Sequence, residues 1–182
     1  MFVIYGSTRA GGNSERLAKE ITKGLETEEV VLREKRVLDI VDRRHGSDGF
    51  ERMCDDYYDV LGRMLTHETI MFVTPLYWYG MSGTMKRFID RWSESLRDER
   101  MNFREKMKGK RMYVVVSGGD DPKQKALPLI LQFQHIFAFF GAQFEGYVIG
   151  NGNKPGDIAK DQLAKNEAAS LNGELKSQGC MK

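Results

Sequence analysis

The segment from Gly6 to Ser14 contains residue types that bind a phosphate group. It reads Gly-Ser-Thr-Arg-Ala-Gly-Gly-Asn-Ser, after a short apolar run and before a helical pattern. Glycine lets the backbone approach a ligand closely, hydroxyl groups donate hydrogen bonds, and arginine supplies a charged, forked donor. Free backbone N–H groups at the positive end of a helix favour an anion. We therefore predict a phosphate site formed by Ser7, Thr8, Arg9, Gly12, Asn13 and Ser14.

The same segment does not match two well-known phosphate loops. It lacks the Gly-Lys-Ser/Thr ending of a triphosphate-binding loop, and it is not the Gly-x-Gly-x-x-Gly pattern of a dinucleotide site. An ordinary strand-to-helix turn is the alternative, with Asn13 or Ser14 as the N-cap. That role is compatible with phosphate binding.

A second segment, residues 74–83, is unusually aromatic for a loop. It reads Thr-Pro-Leu-Tyr-Trp-Tyr-Gly-Met-Ser-Gly, and three adjacent aromatic side chains in a surface loop cannot all be buried. A flat heteroaromatic ligand could stack there, while backbone N–H groups meet its polar edge. The alternative is that these rings cap the core or form a subunit contact. The residues that we predict to face the ring are Pro75, Leu76, Tyr77, Trp78, Tyr79 and Gly80.

A third segment places two glycines directly after an apolar run. Ser117, Gly118 and Gly119 precede Asp120-Asp121-Pro122. The glycines would permit close approach of a ligand, and Ser117 offers both a donor and an acceptor. The alternative is a turn before a helix, with Asp120 or Asp121 as the N-cap. Phosphate, ring and ring-edge contacts, in that chain order, describe a mononucleotide with a flat tricyclic head.

The elements that must position these loops alternate between strands and helices. The pattern predicts strands at 2–5, 30–32, 69–74, 112–117 and 143–149, and helices at 13–25, 54–65, 83–92, 124–140 and 157–175. Continuously apolar strands separated by helices are typical of a parallel sheet that is covered on both faces. We predict one α/β domain over residues 1–182, with a doubly wound five-stranded sheet of order 2-1-3-4-5. In that order the loops after strands one, three and four meet at the switch point.

The amino-acid composition limits the classes of partner that the chain is expected to bind. The 28 basic and 26 acidic side chains nearly balance, so nothing draws the chain strongly to nucleic acid or anionic lipid. No apolar run approaches the roughly 20 residues of a membrane span, and the first residues do not resemble a signal peptide. Cys54 and Cys180 are far apart, and the three histidines lack metal-ligand spacing. We expect a cytoplasmic protein without a metal site.

Two blocks of sequence resemble the NADPH-dependent FMN reductase family. They are Ile4–Arg9 with Asn13-Ser14, and residues 74–83 with Lys86–Trp92. The similarity is greatest to the NAD(P)H-dependent FMN-containing oxidoreductases, and it covers nearly the whole chain. It implies a flavodoxin-like fold, bound FMN, and a homodimer or homotetramer. By this resemblance Ser7, Arg9, Asn13 and Ser14 would hold the phosphate, residues 75–80 would face the isoalloxazine, and residues 117–119 would face its pyrimidine edge.

The implied activity is two-electron transfer from NAD(P)H through FMN to a small acceptor such as a quinone, a nitro or azo compound, or free flavin. The cofactor performs this chemistry, so we predict no catalytic side chain; backbone N–H groups near Tyr79 and Gly80 could stabilise charge on the reduced ring. One alternative is a flavodoxin-type electron carrier, but such carriers are usually strongly acidic. Another is a regulatory α/β domain, which needs acids where the first strand instead ends in Gly6-Ser7. Residues 39–49 contain no cysteine, unlike iron–sulfur relatives.

A few further residues carry weaker expectations. Helical periodicity places Phe88 and Trp92 in the core or an interface. The basic triplet Arg43-Arg44-His45 is interpreted as a solvated loop, or alternatively as contributing one arginine to the 2′-phosphate of NADPH. His135 is expected to be packed or at an interface. The residues expected on a solvated or interface face are Lys86, Arg87, Asp90 and Arg91.

Overall fold

A computed structural model describes residues 1–46 and 49–179 and contains a five-stranded parallel sheet. The strand order is β2-β1-β3-β4-β5, and every neighbouring pair is parallel. This confirms the predicted doubly wound sheet. The strands are β1 (Phe2–Tyr5), β2 (Glu28–Val31), β3 (Thr69–Pro75), β4 (Arg111–Gly118) and β5 (Gln143–Asn151).

Helices cover both faces of the sheet. The α-helices are α1 (Asn13–Ile21), α2 (Tyr57–Leu65), α3 (Gly83–Asp90), α4 (Trp92–Ser95), α5 (Phe103–Met107), α6 (Pro122–Lys125), α7 (Leu127–Phe139) and α8 (Gln162–Gly179). Short 3₁₀ turns lie at Leu32–Glu34, Glu99–Met101 and Asp157–Lys160. Cys180 lies outside the described residues.

Each face of the sheet has its own apolar core. Phe72 of β3 packs with residues of α4 and α7 on one face, while Val73 packs with α1 and α8 on the other. Phe88 and Trp92 are buried on the first face, as the periodicity predicts. Successive strand residues point to opposite faces, and both faces are covered. The central strands β1, β3 and β4 are therefore apolar over most of their length, whereas the edge strands β2 and β5 also carry glutamates such as Glu28 and Glu145.

Several element boundaries differ from the prediction for local reasons. The first helix ends at Ile21 instead of residue 25, since Gly24 turns the chain with a φ of +76°. The predicted helix 124–140 is two helices, α6 and α7, and Pro128 lies in the first turn of α7, where its missing N–H costs little. The α5 helix was not predicted, because five residues are too few to establish a helical period.

The segment 35–56 forms no helix or strand over its described residues, yet it is firmly attached. The Asp55 carboxylate accepts hydrogen bonds from the Leu38 backbone N–H at 2.9 Å and from Arg91 Nη1 at 2.6 Å. The Arg91 side chain is 0% exposed. The expectation of a surface position for Arg91 is therefore wrong; a buried pair of acids, Asp55 and Glu94, draws the guanidinium inward.

The outward face of α7 carries large apolar side chains beside polar ones such as Gln132 and Gln134. Leu127, Leu131 and Phe139 are between 46% and 54% exposed. His135 lies on the same exposed face rather than in the packed interior. Among the described residues, no helix has the length and apolar character that crossing a membrane requires.

Candidate functional site

The carboxyl ends of β1, β3, β4 and β5 surround a cavity of about 270 Å³. Backbone hydrogen bonds join neighbouring loops at this edge: Gly6 N–H donates to Val73 O, Leu76 N–H to Ser117 O, and Gly152 N–H to Gly118 O, each at 2.8 Å. These bonds continue the sheet pairing beyond the strands, so each loop starts at a fixed position beside the next. The three predicted loops therefore meet at one place.

The structure brings most of the predicted site residues to the cavity wall. Thr8, Trp78, Tyr79 and Gly80 are not part of this wall. Gly152 and Asn153 are part of it but are not among the predicted residues, because the sequence pattern ends the fifth strand at residue 149 and gives no motif for the loop after it. Their signal was a glycine between two asparagines directly after a buried strand. The predicted residues that line the cavity are Ser7, Arg9, Gly12, Asn13, Ser14, Pro75, Leu76, Tyr77, Ser117, Gly118 and Gly119.

One end of the cavity, where the sequence predicts a phosphate site, is the amino terminus of α1. The N-cap is Gly12, in an extended conformation, and no side chain among the described residues caps the helix. The proposed capping by Asn13 or Ser14 is therefore wrong. The first backbone N–H groups of a helix have no acceptor within it, and here the cavity lies against them. Ser14 adds a hydroxyl group and is 1% exposed. The Ser7 hydroxyl, although it lies at the cavity, donates to Arg9 O at 2.9 Å and accepts from the Arg9 N–H at 3.1 Å. The α1 amides and the Ser14 hydroxyl suit an anion.

The Asn13 side chain has a different task from the one predicted. Its Nδ2 donates to Lys154 O at 2.9 Å, and its Oδ1 accepts from Gly156 N–H at 2.9 Å. The side chain thus positions the loop after β5, and only its backbone N–H remains for an anion. Gly152 is required beside it, since an added Cβ would lie 2.7 Å from Asn13 Nδ2.

Glycine also sets the wall at the other end of the cavity. A Cβ added at Gly118 would lie 3.1 Å from the Leu76 Cβ, and one added at Gly119 would lie 2.7 Å from the Asn153 Cβ. The loops after β3, β4 and β5 can approach one another this closely only without side chains at these two positions. The cavity is therefore narrow at this end.

The aromatic segment forms a tight turn that projects from the cavity mouth. Tyr77 and Gly80 exchange two backbone hydrogen bonds at 3.0 Å. Trp78 and Tyr79 have φ angles of 48° and 63°, which defines a type I′ turn. Bulky residues adopt such angles at a cost of about 1–3 kcal/mol, a cost that persists chiefly at functional sites. Trp78 is 95% exposed.

This turn corrects the expectation that the backbone N–H groups near Tyr79 and Gly80 are both available to a bound ring. The Gly80 N–H donates to Tyr77 O within the turn, so it is not free to stabilise a bound ring. A Cβ at Gly80 would lie 3.7 Å from Tyr77 O, which is ordinary van der Waals contact. Of the two backbone donors that we expected there, the Gly80 N–H is thus committed to the turn.

Tyr79 instead joins the second loop to the third. Its hydroxyl donates to Asp120 Oδ2 at 2.9 Å, and Lys125 Nζ donates to the same oxygen at 2.7 Å. Hydrogen bonds from Lys125 and Tyr79 hold the pKa of Asp120 below its usual value. Asp120 is therefore a link between loops; Asp121 precedes α6 but does not cap it through its side chain.

The basic triplet lies away from this cavity. Arg44 Nη2 is 2.6 Å from Asp42 Oδ2, and Arg43 Nη1 is 3.1 Å from Glu51 Oε2. The hydrogen bonds from Arg44 lower the pKa of Asp42 to about 2. Both guanidinium groups have a carboxylate partner nearby, which favours the solvated-loop interpretation over contact with a 2′-phosphate.

The chain is similar to known proteins over most of its length. YwqN of Bacillus subtilis (strain 168), whose name describes an NAD(P)H-dependent FMN-containing oxidoreductase, is 48% identical over 170 residues, 93% of this chain and 94% of the relative. The structure of the Trp repressor binding protein from Bacillus subtilis superposes with a TM-score of 0.79 at 44% identity, covering 93% of this chain and 96% of that one.

A more distant structure shares the fold alone. An FMN-dependent NADH-azoreductase from Bacillus anthracis (strain Ames Ancestor), solved in complex with FMN, has a TM-score of 0.67 at 16% identity, covering 96% of this chain and 98% of that one. A family model described as a flavodoxin-like fold matches residues 1–172. The chain therefore belongs to this family of flavodoxin-like proteins.

Proposed function

We propose that this protein is an NAD(P)H-dependent FMN oxidoreductase that reduces a small acceptor such as a quinone, a nitro or azo compound, or free flavin. The name of the 48% identical relative supports the cofactor and the reductant. The single observation that carries the assignment is the uncapped α1 terminus facing a glycine-walled cavity. A mononucleotide with a flat ring system would place its anionic phosphate at this terminus and its ring between the glycine-lined walls.

The residues present fit FMN in one orientation. The phosphate would lie against the α1 amides and the Ser14 hydroxyl, beside Ser7, with Arg9 supplying positive charge. The ring would lie between residues 75–77 and residues 117–119. Bound FMN would accept a hydride from the nicotinamide and pass two electrons to the acceptor.

The protein's own contribution is to bind, orient and shield. Leu76 and Pro75 exclude water from one wall of the cavity, and the amides at its other end fix the anion. Tyr77 and Trp78 are exposed at the mouth, where a flat nicotinamide or acceptor could stack. Because both substrates would use this surface in turn, we propose a ping-pong sequence without a catalytic side chain.

The proposal is tested by the visible spectrum of the purified protein, followed by anaerobic addition of NADPH or NADH. We expect a yellow protein, or one that becomes yellow with added FMN, and rapid bleaching by a reduced nicotinamide. An electron carrier would bind FMN but react negligibly without a reductase. A protein that stays colourless with excess FMN contradicts the proposal.

Arg9→Ala is expected to weaken FMN binding by about 10- to 150-fold, since a charged hydrogen bond contributes about 1.5–3 kcal/mol. The measurement is a fluorescence titration of the apoprotein with FMN. Lys23→Ala is the control, because Lys23 is an exposed cation just beyond the opposite end of α1. Equal affinity in Arg9→Ala and the parent would argue against the phosphate assignment.

Trp78→Ala is expected to change acceptor turnover more than FMN binding. The side chain is exposed at the mouth and does not line the cavity, so it contacts incoming substrates rather than the held cofactor. We expect the FMN Kd to stay within about threefold, less than 1 kcal/mol, while kcat/KM changes unevenly across quinone, nitro and azo acceptors. A uniform loss that follows FMN affinity would contradict this role.

We also propose that the protein is a homodimer or homotetramer, with the exposed face of α7 in the subunit contact. Large apolar side chains are exposed on the outward face of α7, and an exposed apolar patch typically marks an interaction site. Leu131→Glu is expected to shift the mass measured by light scattering toward the monomer, because it places a charge at the centre of the exposed apolar face. Gln132→Glu is the control on the same helix. A parent that is monomeric at every concentration would rule out this contact.

A further inference from the structure

A carboxylate lies directly beside the loop that is proposed to hold the phosphate. Glu15 is in the first turn of α1, and its side chain is only 13% exposed. Its Oε2 accepts a hydrogen bond from the Gly11 N–H at 2.8 Å. A negative charge so close to an anion site repels the anion, and in a partly buried place water screens it poorly. The charge therefore needs compensation.

Arg33 supplies that compensation. Its Nη1 donates a short hydrogen bond to Glu15 Oε1, and its side chain is 20% exposed. Arg33 belongs to the 3₁₀ turn directly after β2, so the edge strand of the sheet delivers a cation to the loop after β1. Neither Arg33 nor Glu15 lines the cavity.

The same guanidinium also sets the loop's conformation. Arg33 Nη1 lies 3.4 Å from Ser7 O and 3.4 Å from Arg9 O, and it donates toward both. Carbonyl oxygens that face Arg33 cannot face an anion in the cavity. Together Arg33 and Glu15 contact three backbone groups of the loop, at residues 7, 9 and 11.

We propose that Arg33 and Glu15 form a positioning pair for the phosphate loop. The carboxylate holds the Gly11 amide, and the guanidinium cancels the carboxylate's charge and turns two carbonyl groups away from the cavity. This inference rests on the proposed function, since it assumes that FMN places its phosphate there. The pair should therefore affect binding of the phosphate and leave binding of the flavin ring unchanged.

The test is a titration of the apoprotein with FMN and with riboflavin, which has the same ring but no phosphate. We expect Arg33→Gln to weaken FMN binding by about tenfold or more, because the Glu15 charge is then unpaired. We expect riboflavin affinity to change by less than about twofold. Adding Glu15→Gln to Arg33→Gln should restore most of the FMN affinity, since glutamine keeps the acceptor for Gly11 and removes the charge.

Arg16→Gln is the matched control. Arg16 Nε also contacts this loop, donating to Gly11 O at 3.0 Å, but Arg16 pairs with no carboxylate among the described residues. We expect a smaller loss of FMN affinity than for Arg33→Gln. Equal losses in the two variants would make the effect a general loss of positive charge and would overturn the proposal.

Two further outcomes are decisive. If Arg33→Gln weakens FMN and riboflavin equally, or if Glu15→Gln does not rescue it, the pair has only a general structural role and the inference fails. If the parent protein itself binds FMN no more tightly than riboflavin, the proposed phosphate site fails first. The two failures are therefore distinguishable within one set of titrations.

Discussion

Arg91→Met is expected to lower the free energy of unfolding by about 3–5 kcal/mol at neutral pH, as is usual when one partner of a buried charge cluster is removed. Arg91 Nη1 is 2.6 Å from Asp55 Oδ2, and its Nε is 2.5 Å from Glu94 Oε1. All three side chains are at most 1% exposed. Methionine fills similar space but leaves two buried carboxylates without their cation. Urea denaturation of parent and variant measures the difference.

The loss of unfolding free energy in Arg91→Met should depend on pH. Burial raises the pKa of Glu94 in the parent, although Arg91 opposes the shift. A carboxyl whose pKa is higher in the folded state binds more protons there than in the unfolded chain, so it destabilises the fold as pH rises above its unfolded value of about 4.3. In Arg91→Met the upward shift of the Glu94 pKa should be larger, because the opposing cation is gone. The deficit of Arg91→Met should therefore be largest near pH 7 and become smaller toward pH 4.

Arg97→Met provides the control for this prediction. Arg97 is exposed, two turns from Arg91, and donates only toward Ser93 O at 3.5 Å. Its replacement should change stability by no more than about 0.5 kcal/mol. If Arg91→Met were equally mild, or if its deficit grew toward acid pH, the buried cluster would not be the anchor of segment 35–56 that we describe.

Gly119→Val should reduce FMN affinity by at least about 100-fold. The first added atom alone would lie 2.7 Å from the Asn153 Cβ and 3.1 Å from the Asn153 Cα, so the backbone of the loop after β5 must move. Overpacking of this kind costs about 1–3 kcal/mol, and a branched side chain belongs at the upper end. Both residues line the cavity, so the displaced loop deforms the site itself.

The matched control is Gly62→Val on the exposed side of α2. A Cβ at Gly62 meets nothing within 4 Å, and glycine and valine differ by less than about 0.5 kcal/mol in helix propensity. We expect its FMN affinity and stability to match those of the parent. Normal FMN affinity in Gly119→Val would mean that the loop after β5 does not form a wall of the cofactor site.

The order of elements along the chain was enough to predict the sheet and the edge at which the loops meet. Four-residue apolar runs such as Phe2–Tyr5 can be covered on both sides only if helices follow them alternately, and the handedness of βαβ connections then leaves few strand orders. Local chemistry was also enough to predict a phosphate loop, because glycine, hydroxyl groups and arginine at a strand-to-helix junction act through their immediate neighbours.

Long-range contacts decided the features of the structure that sequence periodicity does not predict. Arg91 ends a charged series whose other members, Lys86, Arg87 and Asp90, are exposed or half-buried. It is buried because Asp55 folds back from an irregular segment to meet it. Gly152 and Asn153 reach the cavity because β5 lies beside β4 in the sheet. The Gly80 amide is used within a turn whose geometry depends on two aromatic residues at positive φ.

The sequence alone thus determined which residue types stand at each strand end, since these depend on patterns a few residues long. The tertiary structure decided which of those groups are free to bind a ligand. Arg33 illustrates the difference: it lies outside every motif, and only strand pairing between β1 and β2 places it against Glu15. A group's chemistry is local, but its partners are set by the packing of distant segments.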